Sequence, residues 1–230
     1  MAQRRFVIGD IHGAYKAMLQ CFERSGFDTQ NDLLISLGDL CDGWPDVNQV
    51  FDELLGIKNL ILLMGNHDNW LLRWFETGDA PDIWLMQGGD ITVNAIKTKI
   101  PAQYINLLRN ARLYYELDNK LFVHGGFIPD LPIGIQDKQI LLWDRSLVNY
   151  ALFNTPLGRE NRISSYEMVF VGHTPTINYM EGKPIIANGV CLMDTGAGWP
   201  GGMLSIMDID TGGIYQSDVV SDLYAEAKGR

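Results

Sequence analysis

Gly9-Asp10-Ile11-His12-Gly13 sets a carboxylate and an imidazole two residues apart between glycines, directly after the apolar run Phe6-Val7-Ile8. That pairing, in a tight turn between a strand and a helix, aims two metal-binding groups the same way. The design recurs four times, each time as an apolar run that feeds a glycine and a ligand-type residue. Residues 34–37 lead to Gly38-Asp39, 60–64 to Gly65-Asn66-His67-Asp68, 121–123 to His124-Gly125-Gly126, and 169–171 to Gly172-His173-Thr174. All four histidines of the chain fall in these turns. Two divalent ions about 3.5–4 Å apart need a bridging carboxylate, oxygen and nitrogen ligands on each side, and open positions for water and substrate. Asp10 and His12 suit one ion, Asn66, His124 and His173 the other, and Asp39 is the best bridge. The Asn66 amide contributes an oxygen without adding charge. His67, next to it, points across the site and is free to act as an acid.

The elements that must position these turns follow from periodicity. Residues 4–10 read as a buried parallel strand and 14–25 as the helix after it, with Tyr15, Met18, Leu19 and Phe22 at helical spacing and Gly26 as the stop. Residues 32–38 form a second strand. Residues 46–55 form a second helix carrying Val47, Val50, Phe51, Leu54 and Leu55 on one face, closed by Gly56. A strand over 59–64 and a Trp- and Leu-rich helix over 69–76 complete a βαβαβα order, which argues for a parallel sheet under helical cover. Ligands collect beyond the carboxyl ends of such strands, where the turns lie. Residues 78–95 read as loop, and 102–109 as a short helix. Short strands over 120–123, 168–171, 191–194, 203–208 and 213–217 predict a second sheet facing the first, and 221–230 a polar, fraying helix. The expected architecture is α/β, with two facing mixed β-sheets covered by helices.

The 230 residues suffice for one domain with a large core, and 47% apolar with 20% charged residues is ordinary for a globular protein. The net charge of −10, from 28 acids against 18 bases, argues against a nucleic-acid partner, because phosphate backbones are bound by basic surfaces. A phosphorylated substrate stays open, since divalent cations reverse the local sign. Cys21, Cys41 and Cys191 fit neither a zinc knuckle nor a disulfide framework and read as reduced thiols. The start is too short in apolar residues for a signal peptide, and no apolar run approaches the roughly 20 residues that span a bilayer. A cytoplasmic enzyme without a membrane partner is the expectation.

The five turns, in this order, resemble the signature of the calcineurin-like metallophosphoesterases, and more narrowly the phosphoprotein phosphatase family in its compact bacterial and phage serine/threonine branch. The related symmetrical diadenosine tetraphosphate hydrolases share the signature. The resemblance spans residues 9 to about 196. It implies a single metallophosphoesterase domain over 1–230, a four-layer α/β/β/α sandwich. It also implies two divalent metal ions, of which manganese is the first expectation and iron, zinc or nickel are compatible. Asp10, His12 and Asp39 would hold the first ion, and Asp39, Asn66, His124 and His173 the second. His67 matches the general acid and Asp42 the carboxylate that orients it, so that a hydroxide bridging the ions attacks phosphorus in line, in one step. Arg145, in Leu141-Leu142-Trp143-Asp144-Arg145, resembles a phosphate-binding arginine, unless it is a surface ion pair, and Asn66 is counted with it on the substrate side. The implied activity is serine/threonine protein phosphatase, with a symmetrical diadenosine tetraphosphate hydrolase or a broad phosphomonoesterase as alternatives; the substrate is a phosphorylated protein or a small phosphoester.

The sequence departs from the family at one point: Asp42 is followed by Gly43-Trp44, where the family carries a phosphate-clamping arginine. Asp68 reads as a helix cap, and Asp194-Thr195-Gly196 as support for a metal-ligating histidine. The six tryptophans read as packing, with Trp44 and Trp199 placed to wall the site.

Overall fold

The computed structural model describes residues 3–96, 101–153 and 162–230. One five-stranded sheet has the order β10-β9-β1-β2-β3, built from β1 (Arg5–Ile8), β2 (Leu33–Ser36), β3 (Asn59–Leu62), β9 (Ser205–Asp208) and β10 (Ile214–Gln216). The other has the order β4-β5-β6-β8-β7, from β4 (Tyr114–Leu117), β5 (Lys120–Val123), β6 (Met168–Val171), β7 (Ile185–Ala187) and β8 (Val190–Leu192). Both are mixed: β1, β2 and β3 run parallel, as do β5, β6 and β8, with antiparallel strands at the margins.

Alternation along the strands builds the layers. Val7, Ile35, Phe122, Phe170 and Cys191 point between the sheets. Phe122 and Phe170 stack there with ring centroids 4.8 Å apart and planes 5° from parallel. The intervening Phe6, Ile8 and Leu34 pack instead against α1 (Tyr15–Ser25) and α2 (Val47–Leu55). On the other sheet, Leu121, Val123, Val169 and Val171 pack against α7 (Lys138–Trp143) and α8 (Ser146–Phe153). Burial on both faces is why these strands read as continuous apolar runs. The α/β/β/α sandwich is as expected, but β9 and β10, whose strands were expected in the second sheet, join the first one, β9 pairing antiparallel with β1 and β10 with β9.

Several elements differ from expectation. α3 (Asn66–Thr77) begins three residues earlier than its apolar pattern, so Asn66, His67 and Asp68 form its first turn. The region expected to be loop holds α4 (Asp82–Trp84), a π-type turn over Leu85–Gly89, and α5 (Asp90–Ile96). Gln87 and Gly88 are non-helical and kink it. α6 (Ala102–Arg109) is as expected. β4 and β7 escape the pattern because both are half exposed, and α7 and α8 break the strand texture of the second half. The expected helix at 221–230 is only α9 (Val220–Leu223); beyond it the chain makes a turn, with the Ala227 amide donating to the Tyr224 carbonyl at 3.0 Å, and is irregular to residue 230. No helix among the described residues is long and apolar enough to cross a membrane. The three cysteines are buried free thiols.

Candidate metal centre

The turns that leave the carboxyl ends of β1, β2, β5 and β6 meet the first turn of α3 at one edge of the sandwich. His12 Nδ1 donates to the Cys41 carbonyl at 2.8 Å, and His124 Nδ1 donates to the Leu37 carbonyl at 2.8 Å. Both imidazoles therefore present Nε2 to the centre, the orientation a ligating histidine takes when its other nitrogen is held by a carbonyl. Of the eight described non-glycine residues with positive φ, four are His12, Asp39, Asp42 and His173. Backbone held in this sparsely populated region is a mark of functional turns.

Asp39 lies between the two histidines: Oδ2 is 3.7 Å from His12 Nε2 and Oδ1 is 3.4 Å from His124 Nε2. Its Oδ1 also accepts the free backbone N–H of His67 at 2.9 Å, so the start of α3 helps hold the negative charge. A Cβ at Gly65 would fall 2.1 Å from this oxygen, and one at Gly172 would fall 2.2 Å from Asp10 Oδ1, so only glycine admits either carboxylate. Asp10 Oδ2 accepts the His173 N–H at 2.9 Å, and Asn66 Oδ1 lies 2.9 Å from His124 Nε2.

The donor set fits divalent ions. Asp10, His12 and Asp39 bring ligand atoms within 4.8 Å of one another, as do Asp39, His124 and His173, and all five are buried. Bonds of about 2.1 Å in an octahedral shell put neighbouring ligand atoms about 3 Å apart, close to the spacings here. Asp10 Oδ1 and His173 Nε2 are buried without a hydrogen-bond partner among the described residues. Electrostatics point the same way. Burial, reinforced by Asp194, pushes the Asp10 carboxyl well above the usual carboxylate range. Burial also opposes ionisation of Asp39, but His124 and His67 outweigh it and hold Asp39 well below. His124, despite burial, is pushed up to about 10 by Asp39 and Asp10, whereas burial next to His124 lowers His173 to about 2. Burial, with Arg230, lowers His12 well below its ordinary value.

His67 and Asp42 stand beside this group. His67 Nδ1 is 2.6 Å from Asp42 Oδ2, which leaves Nε2 facing the cleft. Asp42 is further held by Trp84 Nε1 at 2.6 Å and by the Thr92 hydroxyl at 2.6 Å. Trp84 is thus more than packing, and Thr92 was missed because the sequence around it lacks a helical pattern. Asp68 caps α3 as expected, its carboxylate accepting the Gly65 and Leu40 amides at 3.1 and 2.8 Å. Asp194 supports the site differently from expectation: it accepts the Gly196 amide at 2.9 Å, and no histidine bonds to it among the described residues.

Asp10, His12, Asp39, Asn66, His67 and His173 line a cleft of about 150 Å³ together with Trp143, Arg145, Trp199 and Arg230. Arg145 has no carboxylate partner among the described residues; it faces the cleft and donates to the His173 carbonyl at 3.4 Å. Trp199 walls the cleft, but Trp44 is buried beneath Tyr224, their rings stacked 5.1 Å apart. Arg230 gave no local signal in the sequence, because its place depends on how residues 224–230 dock.

The chain is 28% identical over 212 residues to serine/threonine-protein phosphatase 1 of Salmonella typhimurium, covering 89% of this chain and 91% of that protein. It is 27% identical to the bis(5'-nucleosyl)-tetraphosphatase PrpE [asymmetrical] of Anoxybacillus flavithermus, covering 87% and 88%. To serine/threonine-protein phosphatase 2 of Escherichia coli it is 40% identical over 85 residues, a stretch spanning 37% of this chain and only 38% of that protein. The calcineurin-like phosphoesterase family matches residues 4–201, a span that carries every one of the turns described above, and the chain belongs to that family.

Proposed function

We propose that this chain is a metal-dependent phosphoester hydrolase of the serine/threonine protein phosphatase type, working in the cytoplasm as one domain over residues 1–230 with two divalent ions, manganese first among them. The observation that carries the reading is Asp39, whose two oxygens reach toward His12 on one side and His124 on the other. Asp10 would complete the first position, and Asn66 with His173 the second. Divalent ions held there supply Lewis acidity and lower the pKa of water.

The chain's own residues account for the rest. His67, aligned by Asp42, presents Nε2 to the cleft and delivers a proton to the departing ester oxygen. Asp42 stabilises the protonated ring and is fixed by Trp84 and Thr92. Arg145 keeps N–H groups free toward the cleft and, together with Asn66, orients the phosphoryl oxygens. A cleft of about 150 Å³ suits a phosphoryl group and its first ester atoms, leaving the remainder of a phosphoprotein outside. The free thiols agree with a reducing compartment.

The similarity to the tetraphosphatase, over 87% of this chain, favours a second reading in which a dinucleoside tetraphosphate is the substrate. One assay series separates them: initial rates of metal-stripped protein reloaded with manganese, on a phosphothreonine peptide and on diadenosine tetraphosphate. Faster peptide hydrolysis is the expected result, preference for the dinucleotide supports the second reading, and failure on both substrates with two ions bound overturns each.

A further inference from the structure

The side chain of Arg230 enters the cleft from a segment more than 150 residues away in sequence from every turn residue of the first sheet. Its route is built. Tyr224 is held on Trp44, with its hydroxyl donating to Asp46 at 2.8 Å. The Arg230 amide donates to the Gly198 carbonyl at 2.9 Å, and the guanidinium lies over the Trp199 ring, 4.9 Å from its centroid. The stem runs along a corridor of glycines. A Cβ at Gly43 would stand 3.5 Å from Arg230 Cγ, one at Gly88 3.2 Å from the same atom, and one at Gly198 3.2 Å from Cδ.

At the end of this corridor Nη1 lies 3.0 Å from His12 Nε2 and 3.0 Å from His67 Nε2. A guanidinium only donates, so both imidazole nitrogens here act as acceptors. Both have other duties in the working site. His12 Nε2 is a candidate metal ligand, whose lone pair an ion would take from Arg230, and His67 Nε2 faces the place of the departing ester oxygen. Its Nε is already buried with no hydrogen-bond partner among the described residues. A guanidinium held by its stem beside divalent cations, with the His12 acceptor given over to an ion, requires an anion.

We propose that Arg230 is a phosphate-binding residue, a guanidinium delivered into the cleft by the docked 224–230 segment to clamp the phosphoryl oxygens of the substrate together with Arg145. It makes up for the absence of a side chain at Gly43, because the corridor that Gly43 leaves open is the space the Arg230 stem fills. The specificity that follows is for a phosphomonoester dianion, whose oxygens take the paired N–H groups of the fork. This rests on the phosphoester reading above.

The test compares wild type, Arg230→Ala and Arg230→Lys, each stripped and reloaded with manganese, with metal content measured by atomic emission, orthophosphate affinity by calorimetry and KM on a phosphomonoester. Arg230→Ala is expected to weaken orthophosphate binding and raise KM by about 10- to 100-fold with metal content unchanged, and Arg230→Lys to recover part of the loss by charge without the fork. Orthophosphate affinity in Arg230→Ala equal to that of wild type overturns the assignment, and if the same variant loads manganese more tightly, Arg230 is a stopper of the metal site instead. A wild type that binds orthophosphate but hydrolyses no ester defeats the activity reading and leaves the binding comparison standing.

Discussion

Asp42 Oδ2 lies 2.6 Å from His67 Nδ1, with both side chains buried, and the same oxygen takes the Trp84 indole N–H while Oδ1 takes the Thr92 hydroxyl. Three donors thus fix a carboxylate that has no access to water. An imidazole oriented in this way has one protonation site left, Nε2, and that site faces the cleft.

His67→Ala therefore slows hydrolysis of esters with poor leaving groups by roughly 10²–10⁴, and changes nitrophenyl ester hydrolysis little, because a good leaving oxygen needs no proton. Metal content stays at the wild-type level. Asp42→Asn should give much of the same loss, and the double variant little more than either alone, as expected of residues acting as a unit. Loss of bound metal in His67→Ala would remove it from the role of acid and make it a ligand.

Thr92→Val keeps the volume but strips a hydrogen bond from Asp42 Oδ1 and the acceptor from the Asp42 amide, which bonds to the same hydroxyl at 2.9 Å. Unsatisfied buried groups of this kind cost about 1–3 kcal/mol. Urea unfolding should show that loss, together with a fall in kcat at unchanged KM. A variant with wild-type kcat would show that Thr92 serves the fold alone.

The turns were legible because each joins a buried strand to a glycine and a side chain of unusual chemistry, and Asp10, His12, Asp39, Asn66, His124 and His173 all arrive at one edge. The groups that hold Asp42 were not. Trp84 and Thr92 sit either side of the kink at Gln87 and Gly88, where two short helices leave no periodic stripe to read. Arg230 was less legible still: a lone arginine after a polar stretch acquires meaning only when Tyr224 lands on Trp44. The early start of α3 was hidden for a related reason, since the first turn of that helix spends its side chains on the site and not on the apolar face.

Among the described residues Arg145 donates only one long hydrogen bond, to the His173 carbonyl at 3.4 Å, so its removal disturbs little of the protein. Arg145→Ala should raise KM for small phosphate esters about tenfold or more, the effect of losing a charge-assisted hydrogen bond. Wild-type KM would place its guanidinium outside the substrate's reach.

Asp39 is shared between both candidate ion positions, so Asp39→Ala should lower manganese stoichiometry and abolish turnover together, whereas His124→Ala empties the second position and abolishes turnover with the first ion retained in part. Atomic emission on dialysed protein reads the difference. Two ions retained by Asp39→Ala would show that it does not bridge.

The proton held by His124 gives the metal-free protein a pH signature whose sign is fixed by the direction of its shift. With a folded pKa of about 10 against an ordinary 6.5, His124 binds more proton in the native state than in the unfolded state between those values. Its contribution to stability is therefore complete below about 6.5 and is lost as pH rises through about 10. His173, lowered to about 2 by burial, acts oppositely: the unfolded chain takes up its proton first, so stability falls as pH drops from 6.5 toward 2. Urea midpoints in chelator should consequently decline on both sides of about 6.5, and His173→Asn should flatten the acid side. A metal ion at His124 Nε2 requires the neutral ring, so at pH 8 loading must expel this proton. Calorimetric titration with manganese in two buffers of different ionisation heat should report proton release, reduced in His124→Asn. Buffer-independent heats in the wild type would mean that the ion binds without His124.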